Sequence, residues 1–260
     1  KTLVSLVVDH GIIDTQRHLD VRAALKKHGL KVLENLTDND QFNSLYQNNA
    51  ARGVSGNSFA LLYFAARKEG RLSTVSYDWG RKLEYGELRS FDLGDSRKVD
   101  LVGILRREEG IDHVMTREKE DVFLVFSKDG QAKIEREYSL LRYSFTGADP
   151  FGYVSDPECA ALIDGQYHDK EDWLLATRKT TYPDGLFQIA QLFDSPRCGD
   201  IVVTAKPGWD LMDQGHKASH GGLVRVQPAR HHHHGDDRGQ EHQRGQPAAQ
   251  HHLAETRLAE

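Results

Sequence analysis

Three residues of metal-ligating type stand beside glycines, where the backbone could bring them to a metal. Asp9 and His10, followed by Gly11, close the apolar run LVSLVV (3–8), and His220 stands before Gly221 in the glycine-bearing stretch PGWDLMDQGHKASHGGL (207–223). Imidazole nitrogen and carboxylate oxygen ligate zinc at about 2.0–2.2 Å. Neighbouring side chains in mid-strand point to opposite faces, but a turn at the strand end relaxes that alternation. A glycine there lets the backbone take conformations closed to other residues. Asp9-His10-Gly11 is therefore either half of a metal site or an ordinary solvated turn. His220, taken alone, reads first as a loop residue, and His216 is the weaker candidate of the two.

The elements that must position these residues can be read from periodicity. LVSLVV is a continuous apolar run rich in valine, as in a strand covered on both faces. Asp20 is placed to cap a helix over 20–29 that Gly29 ends, and LKVLENL (30–36) reads as the next strand, giving an α/β unit. FALLYFA (59–65) is a further strand. Residues 67–97 are charged and broken by glycine, and 99–111 has helical spacing. Lys128-Asp129-Gly130 separates two alternating segments in DVFLVFSKDGQAKIERE (121–137), a hairpin signal. Helix plus hairpin suggests an accessory insert over 65–150. Helical patterns follow at 156–164, 169–179 and 184–193, with Asp184 as an N-cap, and REKEDVF (117–123) reads as an exposed turn before a strand. GDIVVTAK (199–206) is a second buried strand running into the His220 loop, and in α/β sheets ligands collect at the carboxyl ends of strands.

The 260 residues carry a formal net charge of −5, which offers no electrostatic case for nucleic acid or an anionic membrane as partner. Two cysteines, Cys159 and Cys198, form no Cys-x-x-Cys pair, so neither a disulfide framework nor a thiolate zinc site is expected. No run approaches the about 20 apolar residues of a membrane span, and no charged-then-apolar leader opens the sequence. Lys1 lies almost on the first strand, the arrangement expected of a chain that lacks an N-terminal part.

VVDHGI and TYPDGLFQIAQLFDSPRCGDIVVTAKPGWDL…HKASHGGL together resemble the alkaline phosphatase superfamily, in its type I phosphodiesterase/nucleotide pyrophosphatase branch. Members carry Asp-His-Gly at the end of one core strand and His-Gly in the loop after a later strand. The match spans roughly residues 1–225 and is strongest at 3–14 and 181–223. It implies an α/β, alkaline-phosphatase-like sheet covered by helices, here without its N-terminal part. The expected segments are a core over 1–64, the smaller α+β insert over 65–150, and a return to the core over 151–225. It also implies two divalent ions, zinc in most members, about 3.5–4 Å apart. Asp9 and His10 would serve one ion and His220 the other, and a Thr or Ser nucleophile would pass through a phospho-enzyme. In the family that nucleophile and the remaining ligands precede Asp-His-Gly. The expectation is thus a fragment of a phosphoric ester hydrolase with three ligands, no catalytic nucleophile and no activity alone. Its substrate class would be a small phosphate ester or nucleotide-type diester. Two alternatives stand beside it. One is a non-catalytic binding module retaining the fold. The other is a sulfatase- or phosphoglycerate-mutase-like relative, although no Cys-x-Pro-x-Arg occurs in the chain.

Residues 226–260 differ from the rest: they hold no aromatic residue, no isoleucine and seven of the fourteen histidines. Such low apolar content implies disorder. His231 to His234 would read as threonines if the codons shifted by one base, which suggests a frameshifted tail, beside the readings of a metal-storage tract or a nickel-binding tag.

Overall fold

The computed structural model describes residues 12–33, 45–54, 58–69, 75–211 and 222–223, all within one unit spanning 1–228. Two short strands, β1 (Ile12–Ile13) and β2 (Arg17–His18), lead into helix α1 (Val21–Lys27). Asp20 caps α1 as expected, accepting from the amides of Arg22 at 2.9 Å and Ala23 at 3.1 Å. The segment read as a strand at 30–36 contributes, among the described residues, a single parallel bridge from Val32 to Ala50. Strands β3 (Ala50–Val54) and β4 (Phe59–Phe64) follow, then β5 (Ala66–Glu69) paired with β6 (Val75–Asp78). After helix α2 (Tyr85–Arg89) comes a further hairpin, β7 (Phe91–Gly94) with β8 (Arg97–Val99), and helix α3 (Leu101–Leu105). A meander runs through β9 (Ile111–Lys119), β10 (Val122–Phe126), β11 (Gly130–Glu137) and β12 (Leu140–Gly147). Helix α4 (Pro157–Ala160), β13 (His168–Asp169), α5 (Lys170–Thr177) and α6 (Gly185–Asp194) precede β14 (Ile201–Ala205), β15 (Trp209–Asp210) and β16 (Gly222–Leu223).

The main sheet has eight strands in the order β13-β12-β11-β10-β9-β14-β4-β3, and each of its neighbour pairs is antiparallel. The chain is thus mixed α/β around an antiparallel sheet. The apolar run of β14 signalled burial on both faces, whereas β10, read as part of an alternating hairpin, is buried along its whole length; an apolar run is blind to strand direction, which in the β9–β12 meander the short connections set. β9 to β12 fall within 65–150, the segment read as an insert, and continue the same sheet as β4 and β14.

Side chains alternate between two cores. Leu124 and Phe126 of β10 and Ile201 and Val203 of β14 face one core with Val21, Leu25, Leu88, Leu101 and Leu105 from the first three helices. Phe123 and Val125, with Val202, face the other, where Trp173 of α5 and Leu186, Ile189 and Phe193 of α6 pack. Asp169 caps α5 through the Glu171 amide at 2.9 Å. Asp184 precedes α6 as expected but does not cap it with its side chain: it sits at φ 55° and its carboxylate accepts from the Gln188 side chain at 2.7 Å.

The hairpin at 128–130 forms as read, for a different reason. Neither Asp129 nor Gly130 has positive φ. Gly130 is needed because a Cβ there would run into the backbone carbonyl oxygen of Ala148. A backbone atom cannot turn aside as a side chain can, so Gly130→Ala should cost at least about 1–3 kcal/mol, read as a lowered urea midpoint.

Asp200, just before β14, is the main polar tie of the core. Its carboxylate accepts from the amide of Phe64 at 2.8 Å and of Leu83 at 3.0 Å. Thr116 donates to its carbonyl at 3.0 Å. Each buried amide left unpaired costs about 1–3 kcal/mol, so Asp200→Ala should lose at least about 2 kcal/mol in urea unfolding, and Asp200→Asn less because one acceptor oxygen remains. Burial pushes the Asp200 carboxyl up from its ordinary value, against the two amides that pull it down. The folded state therefore binds this proton more readily than the unfolded chain. The group's contribution to stability is present at low pH and falls as pH rises from about 3.9 through the raised native value. That falling component should be missing from the pH–stability curve of Asp200→Asn.

Candidate functional site

The first described residues after Asp9-His10-Gly11 are those of β1, and the first after His220-Gly221 are those of β16. These two strands pair antiparallel, Ile12 with Leu223 and Ile13 with Gly222. Asp9, His10, His216 and His220 themselves lie outside the described residues, as does the 226–260 tail. At the other end of the His220 segment, β15 pairs in parallel with β2, Trp209 with Arg17 and Asp210 with His18. The described residues on either side of 212–221 thus belong to two short ladders, β15 with β2 before it and β16 with β1 after it. Both ladders are made with residues 12–18, directly after the Asp-His-Gly motif.

Three consecutive residues just before that segment, Trp209 to Leu211, are each held by a side chain from elsewhere. Arg17 lies over the Trp209 ring at 4.8 Å and reaches Glu109 at 2.7 Å. His18 Nδ1 bonds Asp210 Oδ1 at 2.8 Å, with the carboxylate 1% and the imidazole 30% exposed. Since an ionised carboxylate only accepts, Nδ1 carries the proton and donates, which leaves Nε2 on the far side of the ring. Arg52 of β3 donates to the Leu211 carbonyl at 2.6 Å. Burial pushes the Arg52 guanidinium below its ordinary value, Arg22 adds to that, and Asp20 opposes it. Backbone bonds complete the join: Gln16 and Arg17 amides donate to the Gly208 carbonyl at 2.9 and 3.1 Å, and Leu19 to that of Asp210 at 2.9 Å.

His18, Asp210 and Arg52 were not singled out from the sequence. His18 and Asp210 lie 192 residues apart, beyond the reach of any spacing rule, and the two-residue strands that align them are too short to show periodicity.

A second histidine cluster is closed. His113 on β9 is 2% exposed and donates from Nε2 to the Pro150 carbonyl at 2.8 Å. Its ring is packed between Phe151 and Tyr182, at 5.2 and 5.0 Å, and Tyr182 donates to Asp112 at 2.8 Å. This arrangement satisfies polar groups inside the protein. Burial also pushes the thiols of Cys159 and Cys198 up, to about 12 and about 11, so both stay protonated and inert at neutral pH. Among the described residues, no group of three or more His, Cys, Asp or Glu side chains is arranged to hold a metal ion, and no helix is long and apolar enough to cross a membrane. No family model, no curated protein and no solved structure matches the chain.

Proposed function

We propose that the chain is part of a metal-dependent phosphoric ester hydrolase, of the phosphodiesterase/nucleotide pyrophosphatase type within the alkaline phosphatase superfamily. Asp9, His10 and His220 are its contribution to the metal centre. The observation that carries this reading is the pair of ladders: residues following Asp-His-Gly bond to residues on both sides of the His220 segment. Two segments bearing carboxylate and imidazole donors, more than two hundred residues apart in sequence, have their flanks joined. Oxygen and neutral imidazole donors of this kind suit zinc.

When bound, zinc supplies charge stabilisation for phosphoryl oxygens and a nucleophile that is ionised at neutral pH. The chain's own part is to present the Asp9 carboxylate and the deprotonated nitrogens of His10 and His220, and to hold the two segments together. A small phosphate ester or nucleotide-type diester is the fitting substrate class.

The test uses the full chain with its seven tail histidines, those from His231 to His252, replaced by alanine so that they do not compete for metal. Zinc affinity measured by competition with a chromogenic chelator should fall at least about tenfold, or 1.4 kcal/mol, in Asp9→Asn and in His220→Ala. Unchanged affinity in both variants would sink the assignment.

A further inference from the structure

Two arginines away from the junction are each placed beside a glycine. Arg67 of β5 is half-buried and lies against Gly94, the last residue of β7. Gly94 sits at φ 88°, and a Cβ there would overlap the Arg67 guanidinium, so the glycine makes the room that the guanidinium fills. Arg97, exposed on β8, is the cross-strand partner of Gly94. Its Nη1 stands 3.9 Å from the point a Cβ on Gly29, just after α1, would occupy. Two guanidiniums thus flank one position of the hairpin. Neither is compensated: Arg67 Nε is out of water without a hydrogen-bond partner, and neither arginine is ion-paired among the described residues. The hairpin's own Asp92 turns instead to the Gly94 amide, accepting at 2.8 Å. In a chain with 39 acidic against 34 basic residues, carboxylates to neutralise this pair are not scarce, so its lack of them sets it apart from Arg81, Arg89, Arg136 and Arg142, each of which has one.

We infer that Arg67 and Arg97 form a binding site for a compact phosphate-type oxyanion, such as pyrophosphate or the phosphate chain of a nucleotide. A guanidinium presents a planar fork of donors that matches two oxygens of such an anion. One held by packing has already given up the freedom that binding would otherwise take from it. Arg67 Nε is enclosed, so its Nη groups make the contact, and Lys98, exposed beside Arg97, adds to the local positive field. The neighbouring carboxylates decide the size of the ligand. Asp92, Asp95 and Glu69 are exposed among these cations and would repel a nucleic-acid strand or an anionic membrane laid across the whole face, whereas a compact anion fits between the two arginines. The site is separate from Asp9, His10 and His220 and does not depend on the metal reading.

The experiment titrates inorganic pyrophosphate into the full chain by calorimetry, at low ionic strength and in excess EDTA so that no metal-borne phosphate site contributes. The expected result is saturable binding of one pyrophosphate with a dissociation constant below about 1 mM. Arg67→Gln and Arg97→Gln should each weaken it by roughly tenfold to hundredfold, the range for losing hydrogen bonds to a charged group. Arg67→Lys, which keeps the charge and loses the fork, should recover only part of the loss. Lys119→Gln, on the main sheet, makes the same change in net charge and should shift affinity by less than about twofold. Arg97→Gln alters an exposed side chain and carries the test even if Arg67→Gln does not fold. Absence of saturable binding overturns the site, as does wild-type affinity in Arg97→Gln. An equal loss in Lys119→Gln overturns it in favour of a diffuse field. Tighter binding of a single-stranded oligonucleotide or of phosphatidylserine vesicles, at equal phosphate concentration and with the same arginine dependence, overturns the compact-anion assignment.

Discussion

Strands β10 and β14 are apolar on both faces, and this creates a problem that the rest of the structure solves. A strand with one wet face is held in register by its hydrophobic alternation, because a slip of one residue would expose the core side. VFLVF and IVV have no such wet face: a slip exchanges one buried apolar residue for another. Register must then come from groups that tolerate only one neighbour. Asp200 is one, with amides from β4 and from the approach to α2 on its carboxylate and Thr116 of β9 on its carbonyl. Arg136 of β11 is another, forked onto Asp194 at the end of α6 at 2.7 and 2.8 Å. Trp173, buried in α5, donates its indole N–H to the Leu141 carbonyl at 3.0 Å and so ties that helix to β12. Polar groups at the margins specify the packing, while apolar area supplies most of the driving force.

The same division of labour appears at the junction of residues 12–18 with 208–223. Ladders of two residues bury little, and paired strands that short are marginal in water. Their alignment depends on side chains: the Asp210 carboxylate on His18, Arg52 on the Leu211 carbonyl, Arg17 over Trp209. A junction of segments so far apart in the chain gains its geometry from a few strong, directional contacts rather than from extended secondary structure.

What the sequence revealed follows from range. Local signals were readable: the Asp20 cap, the helical patterns of α5 and α6, the β4 and β14 runs and the hairpin at 128–130. Segments whose polar residues serve distant partners were not. β9 contains His113 and Thr116, which look like loop residues until the Pro150 and Asp200 carbonyls they bond are in view. The hairpins β5–β6 and β7–β8 lie largely in the stretch read only as charged and broken by glycine; most of their residues have a solvent face, so no apolar run marks them. Sheet direction was equally invisible, since burial on both faces is common to parallel strands and to antiparallel ones under two helical layers. The candidate site differs from these elements. Its proposed ligands at 9–10 and 220 were named from residue types and lie outside the described residues, while the His18–Asp210 contact that joins their flanks gave no sign in the sequence.

β14 connects these observations. At its start, Asp200 fixes the strand against β4 and β9. At its end the chain turns, with the Lys206 amide on the Gly110 carbonyl at 2.9 Å and Trp209 on that of Lys206 at 3.0 Å, and passes Gly208 at φ 82° into β15. Only Lys206, Pro207 and Gly208 separate the end of β14 from the start of β15, too few to absorb a shift of a whole residue without breaking the turn. An error of register at Asp200 would therefore be carried along the strand to Asp210 and would part it from His18. The buried carboxylate that holds the middle of the sheet and the one that holds the junction lie ten residues apart on one stretch of chain. The placement of the junction is in this sense set by the core rather than by the loops around it.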